Sequence, residues 1–162
     1  MRLRGSRYFG AALGCLALVA CDSDEEQVTT AEDSAAYVAT DEGGTAADFI
    51  AHAGDRVFFD LNKHTLSPEG IATLEKQVEW LTAHPDKEIV VEGHCDDRGT
   101  AEYNLALGER RAHQVVSFLV GKGIAESRIR GVSYGKDRPI EIPNADREEF
   151  WRQNRVAIAV IQ

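Results

Sequence analysis

The sequence predicts an α/β domain over residues 56–162, a two-layer sandwich of helices on a mixed four-stranded sheet in the order βαβαβ(α)β. Three observations carry that prediction. Short runs rich in Val, Ile and Phe recur along the chain, as β-strands require. Longer segments between them place apolar residues three and four apart, as amphipathic helices require. Proline and glycine stand at the joints. Strands separated by helices need crossover connections, which lay the helices against the sheet.

Arg56-Val57-Phe58-Phe59 is the first strand. After a loop, Ser67-Pro68-Glu69 opens a helix. Serine can accept from the free amides of the first turn, proline suits the first helical position, and glutamate favours the positive helix end. Ile71, Leu74, Val78 and Leu81 then form one apolar stripe, and Pro85 stops the helix near His84. Residues 88–92 are the second strand. A second helix spans about residues 101–120, with Leu105, Ala112, Val115, Val116 and Leu119 as its core stripe and Gly121 and Gly123 at its end. Residues 129–134 form a third strand, 147–153 a short helix and 155–161 a last strand.

Residues 1–20 read as an export signal: Arg2, Arg4 and Arg7, then an apolar run from Tyr8 to Ala20 too short for a stable membrane span. The end of that run, Leu18-Val19-Ala20-Cys21, resembles the bacterial lipobox, where the chain is cut before a cysteine that carries lipid. The alternative is a plain secretory signal with an incidental cysteine. Loss of the three signal arginines would take the net charge from −9 to −12, which speaks against nucleic acid as a partner. Cys15 would go with the signal and Cys21 would be alkylated, so Cys95 would remain as a free thiol with no disulfide partner. Residues 21–55 contain no Lys or Arg, many acids and only Tyr37 and Phe49 as aromatics. That composition predicts a flexible acidic tether, about 30–35 Å across as a random coil. Within it, residues 45–52 could alternatively form a short helix packed on the domain.

The stretch GHCDDRGTAEYNLALGERRA, residues 93–112, concentrates the chemistry. His94 and Asp96 could ligate a metal, but a catalytic site needs a third protein ligand, and no other histidine stands at ligand spacing. Cys95 alternates away from His94, a poor geometry for a nucleophile and its base. No hydrolase, nucleotide-binding or metalloprotease motif is present. No cofactor is expected, and an enzyme is not. Ligand binding fits better. Asp96 ends a strand, and the loop Asp97-Arg98-Gly99-Thr100 leads to a helix N-terminus with free amides. Asn104, Gly108 and Arg111 share one helix face, and Gly108 would leave a groove between the other two. An anion, a cation and amides close together suit a ligand bearing both ammonium and carboxylate. The competing possibility is an internal Asp96–Arg111 salt bridge. Glu109 and Arg110 are expected on the solvated surface.

Together with VFFDLNKHTLSPEG at residues 57–70, this stretch resembles the OmpA-like C-terminal domain family, most nearly its peptidoglycan-associated lipoproteins. The resemblance continues through Val132-Ser133-Tyr134-Gly135-Lys136 and Asn154-Arg155. It implies non-covalent binding of the meso-diaminopimelate of peptidoglycan. Asp96 would take the ammonium, Arg111 a carboxylate, and the amides of Asp97, Arg98 and Gly99 would add to the grip. Asn104, Phe59 and Asp60 would line the same region. It further implies a lipid anchor at Cys21 in the outer membrane, facing the periplasm, and a TolB-type propeller as partner in a Tol–Pal system. The chain departs from the family pattern at Asn62, where aspartate is usual, and at Val156, where a second arginine is usual. Asp22 after the lipidated cysteine resembles an inner-membrane retention signal, so the choice of membrane stays open.

Overall fold

The computed structural model describes residues 43–162; the expected signal peptide, Cys21 and the tether up to residue 42 lie outside them. The described elements are α1 (Ala46–His52), β1 (Arg56–Phe58), α2 (Pro68–Ala83), β2 (Ile89–His94), α3 (Ala101–Gly121), a 3-10 turn (Glu126–Arg128), β3 (Ile129–Gly135), α4 (Arg147–Asn154) and β4 (Val156–Ile161). The sheet runs β1-β4-β2-β3. β4 pairs antiparallel with both β1 and β2, while β2 and β3 are parallel. The mixed four-stranded sheet expected from the alternation of strands and helices is thus present. None of the described helices is long and apolar enough to cross a membrane.

Local signals explain where the helices begin. Ser67 Oγ accepts from the Gly70 amide at 3.1 Å, Thr100 Oγ1 from Tyr103 at 3.2 Å and Asp146 Oδ1 from Glu149 at 2.8 Å. Each satisfies one of the amides that a helix start leaves unpaired. α2 and α3 bury Leu74, Leu81, Ala112, Val115 and Leu119 in one cluster with Val57, Val91, Ala157 and Ala159 of the sheet. Burial of that apolar surface is the main favourable term for the fold.

Three expectations change. The first concerns residues 45–52, which are a helix rather than tether. Thr45 caps it, and Phe49, 1% exposed, packs edge-on against Trp80 with ring centroids 5.0 Å apart. The ordered fold therefore starts before Arg56. The second is the stripe on α2. Ile71 is 37% exposed, and Gln77 and Trp80 are buried instead. Trp80 turns the buried face toward α1, where its Nε1 donates to Asp48 Oδ2 at 2.6 Å.

The third concerns α3. Leu105 is 50% exposed, while Leu107 is buried. The buried face of α3 also holds Asn104, Gly108 and Arg111, because its N-terminal half packs against polar loops rather than the apolar core. Gly108 leaves no groove. A side chain there would overlap Ser133 Oγ and the backbone of Gly93, and one on Gly93 would overlap the Gly108 carbonyl. The two glycines let helix and strand backbones touch, which no residue with a Cβ permits.

Candidate functional site

Four segments meet at the C-terminal end of β2: the loop after β1, the loop 95–100, the start of α3 and the junction of α4 with β4. The junction is fixed by main-chain pairing, Phe59 N donating to Arg155 O at 2.8 Å. Arg155 returns the bond through Nε to Phe59 O at 3.1 Å and reaches Asp96 Oδ2 with Nη1 at 3.5 Å.

Asp96 is 5% exposed. Its Oδ2 accepts from Arg98 Nη2 at 2.5 Å, and its Oδ1 from the Arg98 amide at 3.3 Å. Burial alone would raise its carboxyl. The Arg98 hydrogen bonds and charge, with help from Arg155, outweigh burial and hold it below the ordinary carboxylate range. The site therefore presents a stable buried anion.

Arg111 is 1% exposed. Its Nε donates to Lys63 O at 3.0 Å, Nη1 to His94 O at 2.7 Å and Nη2 to Asp60 O at 3.2 Å. Its guanidinium carbon lies 5.1 Å from the Phe59 ring centroid. Burial pulls the Arg111 guanidinium below its ordinary value, but arginine keeps its charge in proteins. Arg111 therefore ties the first loop to the end of β2, and most of its donors are spent on backbone carbonyls. The internal Asp96–Arg111 salt bridge considered from the sequence does not form; the ion pairs of Asp96 are with Arg98 and Arg155.

The other expected residues divide. Asn104 is buried and donates to Arg98 O at 2.7 Å and Thr100 O at 3.1 Å, so it shapes the loop from beneath. Gly99 has φ +88°, a left-handed conformation that favours glycine, and its carbonyl accepts from Lys136 Nζ at 2.6 Å. Phe59 is buried under Arg111. The Asp60 carboxylate points outward, and the hydrogen bond from Lys63 keeps its pKa low. Cys95 is buried, donates to Asn104 O at 3.4 Å, and burial raises its thiol pKa. It faces α3, as the strand alternation predicts.

Three residues escaped the sequence. Arg155 sits in the quoted Asn-Arg pair but carried no assigned role, although its partner Asp96 is 59 residues away. Trp151 of α4 donates through Nε1 to Asp97 Oδ1 at 2.7 Å and carries Arg98 over its ring. Lys136, just after β3, pins the loop through Gly99 O. Their only signal in sequence is a charged or aromatic residue on a short exposed helix or loop. Among the described residues, no three His, Cys, Asp or Glu side chains are placed to hold a metal ion.

Comparison with known proteins bears on the fold and the family. The OmpA family model matches residues 58–152. The chain is 40% identical over 146 residues to the peptidoglycan-associated lipoprotein of Brucella melitensis, covering 90% of this chain and 86% of that protein. It is 40% identical over 151 residues to the protein of the same name from Mesorhizobium japonicum, covering 93% and 89%. The crystal structure of the peptidoglycan-associated lipoprotein from Burkholderia pseudomallei superposes with a TM-score of 0.62 at 36% identity, over 67% of this chain and 90% of that one. The C-terminal domain of Helicobacter pylori MotB, 24% identical with a TM-score of 0.58 over 67% and 84%, shares the fold. The chain belongs to the OmpA family and, within it, to the peptidoglycan-associated lipoproteins.

Proposed function

We propose that the chain is a non-catalytic tether between a bacterial membrane and the cell wall. Its folded domain holds peptidoglycan without a covalent bond, and lipid on Cys21 holds the membrane. The names of its relatives support wall association. The observation that carries the reading here is Asp96, a buried carboxylate set at a loop edge beside two guanidiniums. Such a site attracts a ligand that is itself zwitterionic, because a lone cation would have to displace arginine with nothing to offer it in return.

The ligand is the meso-diaminopimelate of the wall peptide. Its ammonium meets Asp96. Its carboxylate meets the one Arg111 Nη2 hydrogen not spent on Asp60 O, with the amides of Asp97 and Gly99 around it, while the Arg98 amide stays on Asp96 Oδ1. Residues 1–20 direct export, and the acidic segment from Cys21 up to α1 gives the domain its reach. The anchor is in the outer membrane facing the periplasm; retention in the inner membrane, which Asp22 would favour, is the alternative. A TolB-type propeller engages the domain in competition with the wall, a partner supported by family resemblance.

The test is co-sedimentation of the full chain with purified sacculi. Diaminopimelate-type wall should pull it down and lysine-type wall should not, since lysine lacks the side-chain carboxylate. Equal recovery on both overturns the ligand assignment. Cys21→Ser should leave the washed membrane fraction, and a TolB-type protein should release the chain from sacculi.

A further inference from the structure

α4 lies apart from the stretch that holds the site in sequence, yet it grasps that stretch at two adjacent residues. The Trp151 indole N–H donates to Asp97 Oδ1 at 2.7 Å. The Arg98 guanidinium carbon sits 4.1 Å from the Trp151 ring centroid, within cation–π range. Arg147, one turn earlier on α4, lies 5.2 Å from the same ring and 3.5 Å from Asp97 Oδ2. Trp151 is only half-buried and takes no part in the hydrophobic core. A tryptophan so placed does little for the fold and much for the loop.

Arg98 is held unevenly. Its Nη2 is on Asp96, but its buried Nε has no hydrogen-bond partner among the described residues. A buried donor without an acceptor is costly, and it favours any state that supplies one. In the structure Arg98 occupies the place on Asp96 that an ammonium would need.

We propose that Trp151 is a positioning residue of the ligand site, and that the Arg98 it carries exchanges partners when ligand binds. The inference rests on the wall-binding reading above. The ligand's ammonium takes Asp96. Arg98, displaced but still stacked on Trp151, turns to the carboxylate on the same carbon of the ligand and supplements Arg111. The Arg98–Asp96 ion pair is replaced by two, Arg155 keeps its own pair with Asp96, and no uncompensated charge is left buried. The pair therefore selects an amino-acid head, ammonium and carboxylate together, over an amine alone.

The test compares the full wild-type chain with Trp151→Phe, Trp151→Ala and Asp96→Ala. The probes are two stem peptides that differ only in meso-diaminopimelate or lysine at the third position. Trp151→Phe keeps a ring under Arg98 but loses the bond to Asp97, and should bind the diaminopimelate peptide about three- to tenfold more weakly. Trp151→Ala loses both contacts and should fall by more than about tenfold. Binding of the lysine peptide should change little, so discrimination between the peptides should drop. A merely structural tryptophan would weaken both peptides alike. The chain has two tryptophans, and Trp80 is buried under α1. The diaminopimelate peptide should therefore shift tryptophan emission in wild type and leave it unchanged in Trp151→Phe. Thermal melting of the Phe variant near wild type shows that it folds, even where Ala does not. The proposal is overturned if wild type binds and Asp96→Ala does not, while Trp151→Phe keeps wild-type affinity, discrimination and an emission shift. If Asp96→Ala binds as well as wild type, the wall-binding reading itself fails and takes this inference with it.

Discussion

Arg98 Nη2 lies 2.5 Å from Asp96 Oδ2, so the carboxylate assigned to the ligand is already neutralised from within its own loop. Asp96 is thus ionised and held in place by its own loop. On the proposed wall-binding reading, binding is an exchange of cations rather than the filling of an empty charge.

That exchange sets the pH dependence. The pKa of Asp96 is held below its ordinary value, so the carboxylate stays charged as pH falls through the usual range near 3.9. Its contribution to stability is complete above that range and is lost only as pH drops through the lower folded value. Sacculus binding should stay level from neutral pH to about 4 and fall only below it. Asp96→Ala should bind about ten- to hundredfold more weakly at neutral pH, the loss of one charge-assisted contact. A midpoint between pH 6 and 7 in a co-sedimentation titration would point away from Asp96 and toward a histidine.

Arg111 should matter for stability as much as for binding. Arg111→Met keeps apolar length but strands the carbonyls of Lys63, His94 and Asp60. Denaturant unfolding should show a loss on the order of 3 kcal/mol, the penalty for buried acceptors left unpaired. An unchanged midpoint with lost wall binding would make Arg111 a ligand contact alone.

Much of this was legible from residue pattern, and the failures share one cause. Ser67 and the strand runs are local signals, and each does what its neighbours in sequence imply. Phe49 is not local: it lies in an acidic, low-complexity context, and its burial depends on Trp80, 31 positions later. Leu105 and Leu107 fit a helical stripe equally well until the loops are placed, because Asn104 and Arg111 read as ligand-facing residues without their carbonyl partners. Gly108 was readable as special, but whether a missing side chain makes a groove or a close contact depends on Gly93 across the layer. Trp151 meets Asp97 over a sequence separation of 54 residues, which no periodicity encodes.

Cys95 should behave as packing. It is 3% exposed, and burial raises its thiol pKa, so little reactive thiolate is present. A disulfide-exchange reagent should label the native protein only as fast as it opens. Cys95→Ala should cost about 1 kcal/mol in denaturant and keep wall binding. Rapid labelling of the folded protein would sink this assignment.

α1 should be part of the cooperative unit. Phe49→Ala should lower stability by about 3 kcal/mol, the range for a buried aromatic. The Asp48 carboxyl is held below its ordinary value, first by the Trp80 indole and then by the Gly44 amide. Its contribution is present above the ordinary carboxylate range and fades as pH falls through the lower folded value. The stability gap between wild type and Asp48→Asn should therefore narrow on strong acidification. A chain beginning at Arg56 that melts like one beginning at residue 43 would show α1 to be dispensable.

The contact between Gly93 and Gly108 gives the sharpest test of how α3 sits on the sheet. Helix propensity alone favours Gly108→Ala by about 1 kcal/mol. A groove at that position would leave this gain intact, and the variant would be more stable. In the structure the new methyl meets Ser133 Oγ of β3 and the Gly93 backbone of β2. Overpacking costs about 1–3 kcal/mol, and a contact under 3 Å with backbone belongs at the upper end, about 2–3, so the net change should be destabilising by about 1–2 kcal/mol. Gly121→Ala is the control, because nothing lies within 4 Å of a Cβ there. It should be neutral or stabilise by about 0.5 kcal/mol. Chemical denaturation of the two variants side by side decides the matter. Opposite signs support direct backbone contact, whereas a gain in both would mean that α3 stands off the sheet.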